Sequence, residues 1–216
     1  MSRAAVIVAE PWEASLRLAQ LGIEKADLQG AVERGLAKWA ECTPNHPVTH
    51  PGLSMYAETA CALRDLMAPS GWRRLNESNQ ALVMHPEGKR VIVVSTGDEF
   101  TGRDSGTPKT RSKKGPRTLE AVHTNLCLFP EWEEDTDVIS SIEKRETWIL
   151  LIHRDMEARE VRSELSLPIL VDKERRLGGW IERILLDPTA LGQDTVTAAE
   201  DAPTTPEIVV EIKKRG

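Results

Sequence analysis

The chain has 216 residues, 40% hydrophobic and 29% charged, and its 28 Lys and Arg against 34 Asp and Glu leave a net charge of -6. The longest apolar runs, such as Trp148 to Ile152 and Val91 to Val94, fall far short of the roughly 20 residues that cross a bilayer, so no membrane association is expected. The negative balance argues against a generally basic nucleic-acid coat protein, but it leaves room for a local patch that binds phosphate.

The apolar run Ala4 to Ala9 is stopped by Glu10 and Pro11 before it reaches the length of a signal peptide's apolar region. Three cysteines, Cys42, Cys61 and Cys127, with no CxxC among them, suit a reducing compartment, and a cytoplasmic location is expected. Six Trp against two Phe and one Tyr follow no fixed period, so no repeat architecture is visible.

In chain order, Leu16, Leu18 and Leu21 predict a helix after Pro11, and Leu28, Val32, Leu36 and Trp39 form the best helical stripe. Cys42 to Gly52, with three Pro, predicts a loop, and Tyr56, Ala60, Leu63 and Met67 predict a third helix over Met55 to Met67. Ala81 to Met84 and Val91 to Val94, joined by His85, Pro86, Glu87 and Gly88, predict a hairpin. Gly97 to Gly115 reads as loop, and Thr118 to Cys127 as a short helix. Trp148 to Ile152, the alternation of Val161, Ser163, Leu165 and Leu167 against Arg162, Glu164 and Ser166, and Trp180 to Leu186 predict further strands.

The fold expected is therefore α+β, with N-terminal helices packed on a mostly antiparallel sheet. One domain is expected over residues 1–188, helical over 1–70 and sheet-rich over 71–188, followed by a flexible tether over 189–206 and a strand over 207–216.

Two neighbouring segments stand out as candidate sites. Gly97, Asp98, Glu99, Thr101 and Gly102 follow a buried strand, where glycines open backbone N–H groups to a ligand and carboxylates can hold a metal or act as a base. The segment matches neither GxxxxGK[ST] nor GxGxxG. Immediately after it, Arg103, Lys109, Arg111, Lys113, Lys114 and Arg117 stand against the single Asp104, a local net charge of +5. Such a loop can bind nucleic acid with counterion release, or an acidic protein. No aromatic residue lies between Arg103 and Arg117 to stack on bases. The alternative is a solvated loop balanced by Glu131, Glu133, Glu134, Asp135 and Asp137.

Three other patterns are weaker. Leu18 to Leu28 has the outline of a helix-turn-helix, but its second helix carries Glu24, Asp27 and Glu33, and a plain helical hairpin accounts for it better. Cys42, His46, His50 and Cys61 are ligand types for zinc, yet Pro44, Pro47 and Pro51 prevent the helix that would align them. Glu211 and Lys213, with Asp201, share the ExK pattern of restriction-type nucleases.

Taken together, Gly97-Asp98-Glu99 with Thr101-Gly102, Lys114-Gly115, Thr118, Ser166-Leu167-Pro168, Gly179-Trp180 and Glu182-Arg183-Ile184 resemble an uncharacterised family of bacterial proteins often carried by phages and plasmids. The resemblance spans roughly residues 24–188, with Asp187 before Pro188 as a departure, and implies a cytosolic, mobile-element setting without an activity. The expectation is a non-enzymatic binding protein of a mobile element and its host, contacting nucleic acid or an acidic protein through loop 103–117, with no cofactor. The alternative is a metal-dependent phosphodiester hydrolase using Asp98 and Glu99.

Overall fold

The computed structural model describes residues 4–77, 80–128 and 145–192. Among these, the elements run β1 (Val6–Val8), α1 (Pro11–Gln20), α2 (Lys25–Ala40), α3 (His50–Met67), β2 (Arg73–Glu77), β3 (Gln80–Met84), β4 (Arg90–Thr96), α4 (Pro116–Leu128), β5 (Glu146–Asp155), β6 (Glu160–Val171), β7 (Leu177–Leu185) and β8 (Thr189–Ala190). The strands form one sheet in the order β1-β7-β6-β5-β4-β3-β2, and β8 pairs with β6. Two pairs are parallel, β1 with β7 and β4 with β5, and the rest are antiparallel. The protein is α+β, with its N-terminal helices ahead of a mostly antiparallel sheet.

The sheet is covered on both faces. On one side, Leu18, Leu28, Val32, Leu36, Leu63 and Met67 of the first three helices meet Ile92, Val94, Leu150, Ile152, Leu165 and Ile184 in the main core. On the other, Val122 of α4 packs with Val93, Ile149, Leu151, Leu177 and Trp180. Asn125 anchors α4 to the sheet. Its side-chain amide donates to the carbonyls of Thr147 (3.0 Å) and Pro168 (2.9 Å) and accepts from the Thr147 N–H (2.8 Å). The β6/β7 register slips around Pro168, which has no N–H for the ladder, and Asn125 takes up the carbonyl freed there.

The tight helical pair is α2 with α3. A Cβ built on Gly35 would lie 1.9 Å from Thr59 Oγ1 and 2.9 Å from the Met55 carbonyl oxygen. Gly35→Ala is therefore expected to destabilise the fold by roughly 1–3 kcal/mol in chemical denaturation. Thr59→Ala in the same chain should recover part of the loss, because it removes the nearer obstacle. An unchanged midpoint in Gly35→Ala would show that the two helices can separate at little cost.

Several expectations need correction. The third helix begins at His50, inside the stretch read as loop, because Pro51 occupies the first turn where its missing N–H is harmless. The run Val6 to Val8 is a strand, parallel to β7. Thr189 and Ala190, assigned to a tether, pair with Val161 and Glu160. The alternation in β6 predicts one wet face, yet Arg162, Glu164 and Ser166 are all buried. The remainder of the tether, the strand expected over 207–216, the ExK residues, and the acidic cluster 131–137 lie outside the described residues.

Candidate functional site

Loop 97–115 leaves the end of β4 and folds back across the sheet face opposite the first three helices. Two buried arginines pin it. Arg162 donates to the carbonyls of Thr101 (3.0 Å) and Glu99 (3.0 Å), and Arg183 donates to those of Gly106 (3.1 Å) and Arg103 (2.8 Å). Trp180 Nε1 adds a bond to the Pro108 carbonyl (2.9 Å). The Gly102 N–H donates to Glu164 Oε2 at 2.8 Å. Only glycine fits there, since φ is +70° and a Cβ would lie 2.7 Å from Arg162 Cβ.

Beneath this strap lies a fully desolvated ion pair. Glu164 is 0% and Arg183 1% exposed as side chains, and the guanidinium grips the carboxylate at 3.0 and 2.6 Å, with Ser166 Oγ donating at 2.7 Å. Every polar group of the pair has a partner, as a buried charge requires.

The loop residues expected to form one basic surface separate into different roles. Arg103 pairs with Asp155 at 3.3 Å, and Lys109 with Asp172 at 3.1 Å. A backbone amide and a guanidinium lower the Asp155 pKa: the Ala158 N–H first, then Arg162. Lys113 is exposed. Arg111 lies on the outer surface, with its N–H bonded to the Thr96 carbonyl at 3.0 Å. Arg117 sits in the first turn of α4.

Lys114 turns inward. Its ammonium donates to Ser95 Oγ at 2.6 Å and to Ser112 Oγ at 3.3 Å, and its backbone N–H is fixed by the Arg175 carbonyl at 2.7 Å. Among the described residues no carboxylate pairs with it, and burial lowers its pKa from 10.5 to about 8. Ser95 is 6% exposed and shares the strap face of β4 with Val93.

Gly97 pairs with Thr110 in an isolated bridge, and Asp98 closes the turn. Asp98 Oδ1 accepts from the Phe100 N–H (3.2 Å) and Oδ2 from the Lys109 N–H (2.9 Å). Burial raises its pKa, and those two amides oppose the shift. Glu99 is exposed, and its carbonyl serves Arg162. Thr101 is fully buried under the strap.

Where β4 and β5 end side by side in parallel, they meet the first turns of α3 in a shallow cleft. Tyr56 comes from α3, Ser95 and Thr96 from β4, Arg111 from the strap, and His153 and Arg154 from β5. Among the described residues, no Asp or Glu lines it. Burial lowers the pKa of His153, against a hydrogen bond from its ring to the Gly97 carbonyl, so the cations of the cleft at neutral pH are Arg111 and Arg154. Arg154 also lies 4.7 Å over the Trp39 ring, which holds its direction.

Sequence reasoning placed the loop but missed Tyr56, His153 and Arg154, which only the fold brings beside it. The four zinc-type residues do not converge. His46 and His50 stack at 4.6 Å, the Cys42 thiol turns toward the Lys38 carbonyl and Cys61 toward Asp65. Among the described residues no group of three or more His, Cys, Asp or Glu is placed to hold a metal ion, and no helix is long and apolar enough to cross a membrane. No protein-family model, no curated protein and no solved structure matches the chain.

Proposed function

We propose that the protein is a binding protein of a mobile element and its host in the bacterial cytosol, and that the cleft and the outer side of loop 103–117 take single-stranded nucleic acid. The observation that carries this reading is the lining of the cleft, which brings together Arg111, Arg154 and Tyr56. The arginines suit a phosphate, and the tyrosine supplies the stacking surface that the loop itself lacks. That ring favours nucleic acid over an acidic protein, which would use the same charges. Lys113, exposed on the adjoining loop, extends the positive surface. The mobile-element and cytosolic setting rests on the sequence resemblance.

Fluorescence anisotropy with labelled single-stranded DNA and RNA, at low and at physiological salt, tests this. Binding is expected to fall as salt rises and to weaken about tenfold or more in the double variant Arg111→Glu, Lys113→Glu. Tyr56→Leu is expected to lose about 1–3 kcal/mol of affinity with little change in salt slope. Absence of binding, or binding indifferent to the charge reversal, overturns the reading. Binding of an acidic peptide alone would transfer the site to a protein partner. Magnesium-dependent cleavage that disappears in Asp98→Ala would instead support the hydrolase.

A further inference from the structure

The two ends of the sheet are finished differently. At one end β2 presents Arg73, Arg74 and Glu77, charges of the kind that keep an open edge from pairing. At the other end, among the described residues, β1 pairs with β7 alone and its outer edge has no partner strand. That edge is Val6, Ile7 and Val8, with Val6 57% and Ile7 39% exposed. An apolar edge with free backbone groups is a place for one more strand.

The register fixes what such a strand must present. Val6 lies opposite Glu182, which Arg17 of α1 clasps, and Val8 lies opposite Ile184 of the main core, so both point to the helix face. Ile7 lies opposite Arg183 and points to the strap face. An added strand therefore needs three successive apolar residues, serving both faces. Ile208, Val209 and Val210 have that pattern and are followed by Glu211, Ile212 and Lys213. In antiparallel pairing Ile208 meets Val8, Val209 meets Ile7 and Val210 meets Val6, apolar against apolar at every position. Sliding the segment by two residues sets Glu211 opposite Ile7 instead.

The path of the chain leads to the same edge. β8 continues along β6 in line with β7, and the described residues stop just past it at Gly192, whose carbonyl accepts from Arg159 Nη2 at 3.1 Å. From there the free edge of β1 is two strand spacings away, roughly 10 Å across and roughly 20 Å back along the strands. Residues 193–207 can reach up to roughly 50 Å, and a strand entering from this end runs antiparallel to β1.

We propose that residues 208–212 of the same chain add to the free edge of β1 as an antiparallel strand, with Val209 opposite Ile7. An edge of 3 residues offers few backbone bonds, and a separate partner or a second copy loses its translational and rotational freedom for them. A tethered strand loses only the entropy of closing its loop, and it meets the edge at an effective concentration on the order of millimolar.

The test uses the full chain. In the double variant Ile7→Cys, Val209→Cys, mild oxidation is expected to join positions 7 and 209 within one chain, read by intact mass and peptide mapping. The pair Ile7→Cys, Glu211→Cys, offset by two residues, should close about tenfold more slowly, because diagonal neighbours stand farther apart. Equal rates, or no bond at all, overturn the proposal, and a bond between two chains gives the edge to a second copy and overturns it as well. Hydrogen exchange supplies a readout without cysteines. Amides over 208–212 are expected to exchange at least about tenfold more slowly than in an unfolded chain. The variant Val209→Pro, Val210→Pro removes two adjacent N–H groups, one of which must face β1. It should return the remaining amides over 208–212 to the unfolded rate and speed exchange over 5–8, while 149–151 in β5 stay as in wild type. Unprotected amides over 208–212 in the wild-type chain, or exchange over 5–8 indifferent to the two prolines, overturn the proposal.

Discussion

Arg183→Met is expected to lower the stability of the fold by about 3–5 kcal/mol, because it leaves the Glu164 carboxylate charged at 0% exposure without its counter-charge, held only by the Gly102 N–H and the Ser166 hydroxyl. That is a large part of the 5–15 kcal/mol typical of a domain. The same substitution removes the donors to the carbonyls of Gly106 and Arg103, so the strap loses much of its attachment. Two measurements check this together: the midpoint of urea unfolding, and the rate of trypsin cleavage within 103–114, which offers Arg103, Lys109, Arg111, Lys113 and Lys114. The midpoint should fall, and cleavage in the strap should precede cleavage elsewhere. In the double variant with Glu164→Leu the midpoint should partly recover, since the stranded charge is gone, while the strap stays sensitive to trypsin. A wild-type midpoint in Arg183→Met would mean that the interior solvates Glu164 by other means.

Lys114→Met is expected to act in the opposite sense. The fall of the Lys114 pKa from 10.5 to about 8 corresponds to about 3 kcal/mol of disfavoured charge in the folded chain at neutral pH. Loss of the bonds to Ser95 and Ser112 takes back about 1 kcal/mol, so the variant should be more stable than wild type by about 2 kcal/mol at pH 7. The pH dependence gives the cleaner sign. Between about pH 8 and 10.5 the unfolded lysine still binds its proton and the folded one has released it, so the contribution of this group to wild-type stability rises with pH. The difference between wild type and variant should shrink across that window. A difference that stays constant from pH 7 to pH 10 would mean that Lys114 titrates as an ordinary lysine.

Much of the fold is legible from periodicity. Leu28, Val32, Leu36 and Trp39 mark α2, and the hairpin over 81–94 pairs with Leu82 opposite Val93, because local stripes and turn residues carry these elements. Val6 to Val8 carries too little sequence to be a strand by itself, and it becomes one only because β7 offers a parallel edge from the far end of the chain. The buried charges were hidden for a different reason. Arg162 and Glu164 sit in an alternation that a solvated strand face would also show, Arg183 directly follows Glu182, and nothing local tells that a polar loop will lie over them. The candidate site shared this limit. The positive run 103–117 is plain in the sequence, but whether each cation points out, pairs, or turns inward depends on partners as distant as Asp155, Asp172 and Ser95.

The pairing of Val6 with Glu182 also bears on how the chain is assembled during synthesis. β1 leaves the ribosome long before β7 and has no strand neighbour until β7 has emerged, and α1 also waits for it, since Arg17 clasps Glu182 at 2.6 Å. Through most of translation these residues are an unpaired apolar strand and a helix with half of its partner missing. Val6, Ile7, Trp12 and Leu16 remain well exposed even in the finished fold. The nascent chain therefore carries a sticky segment that must wait for a partner made far later, a long-range closure that slows folding and invites chaperone binding.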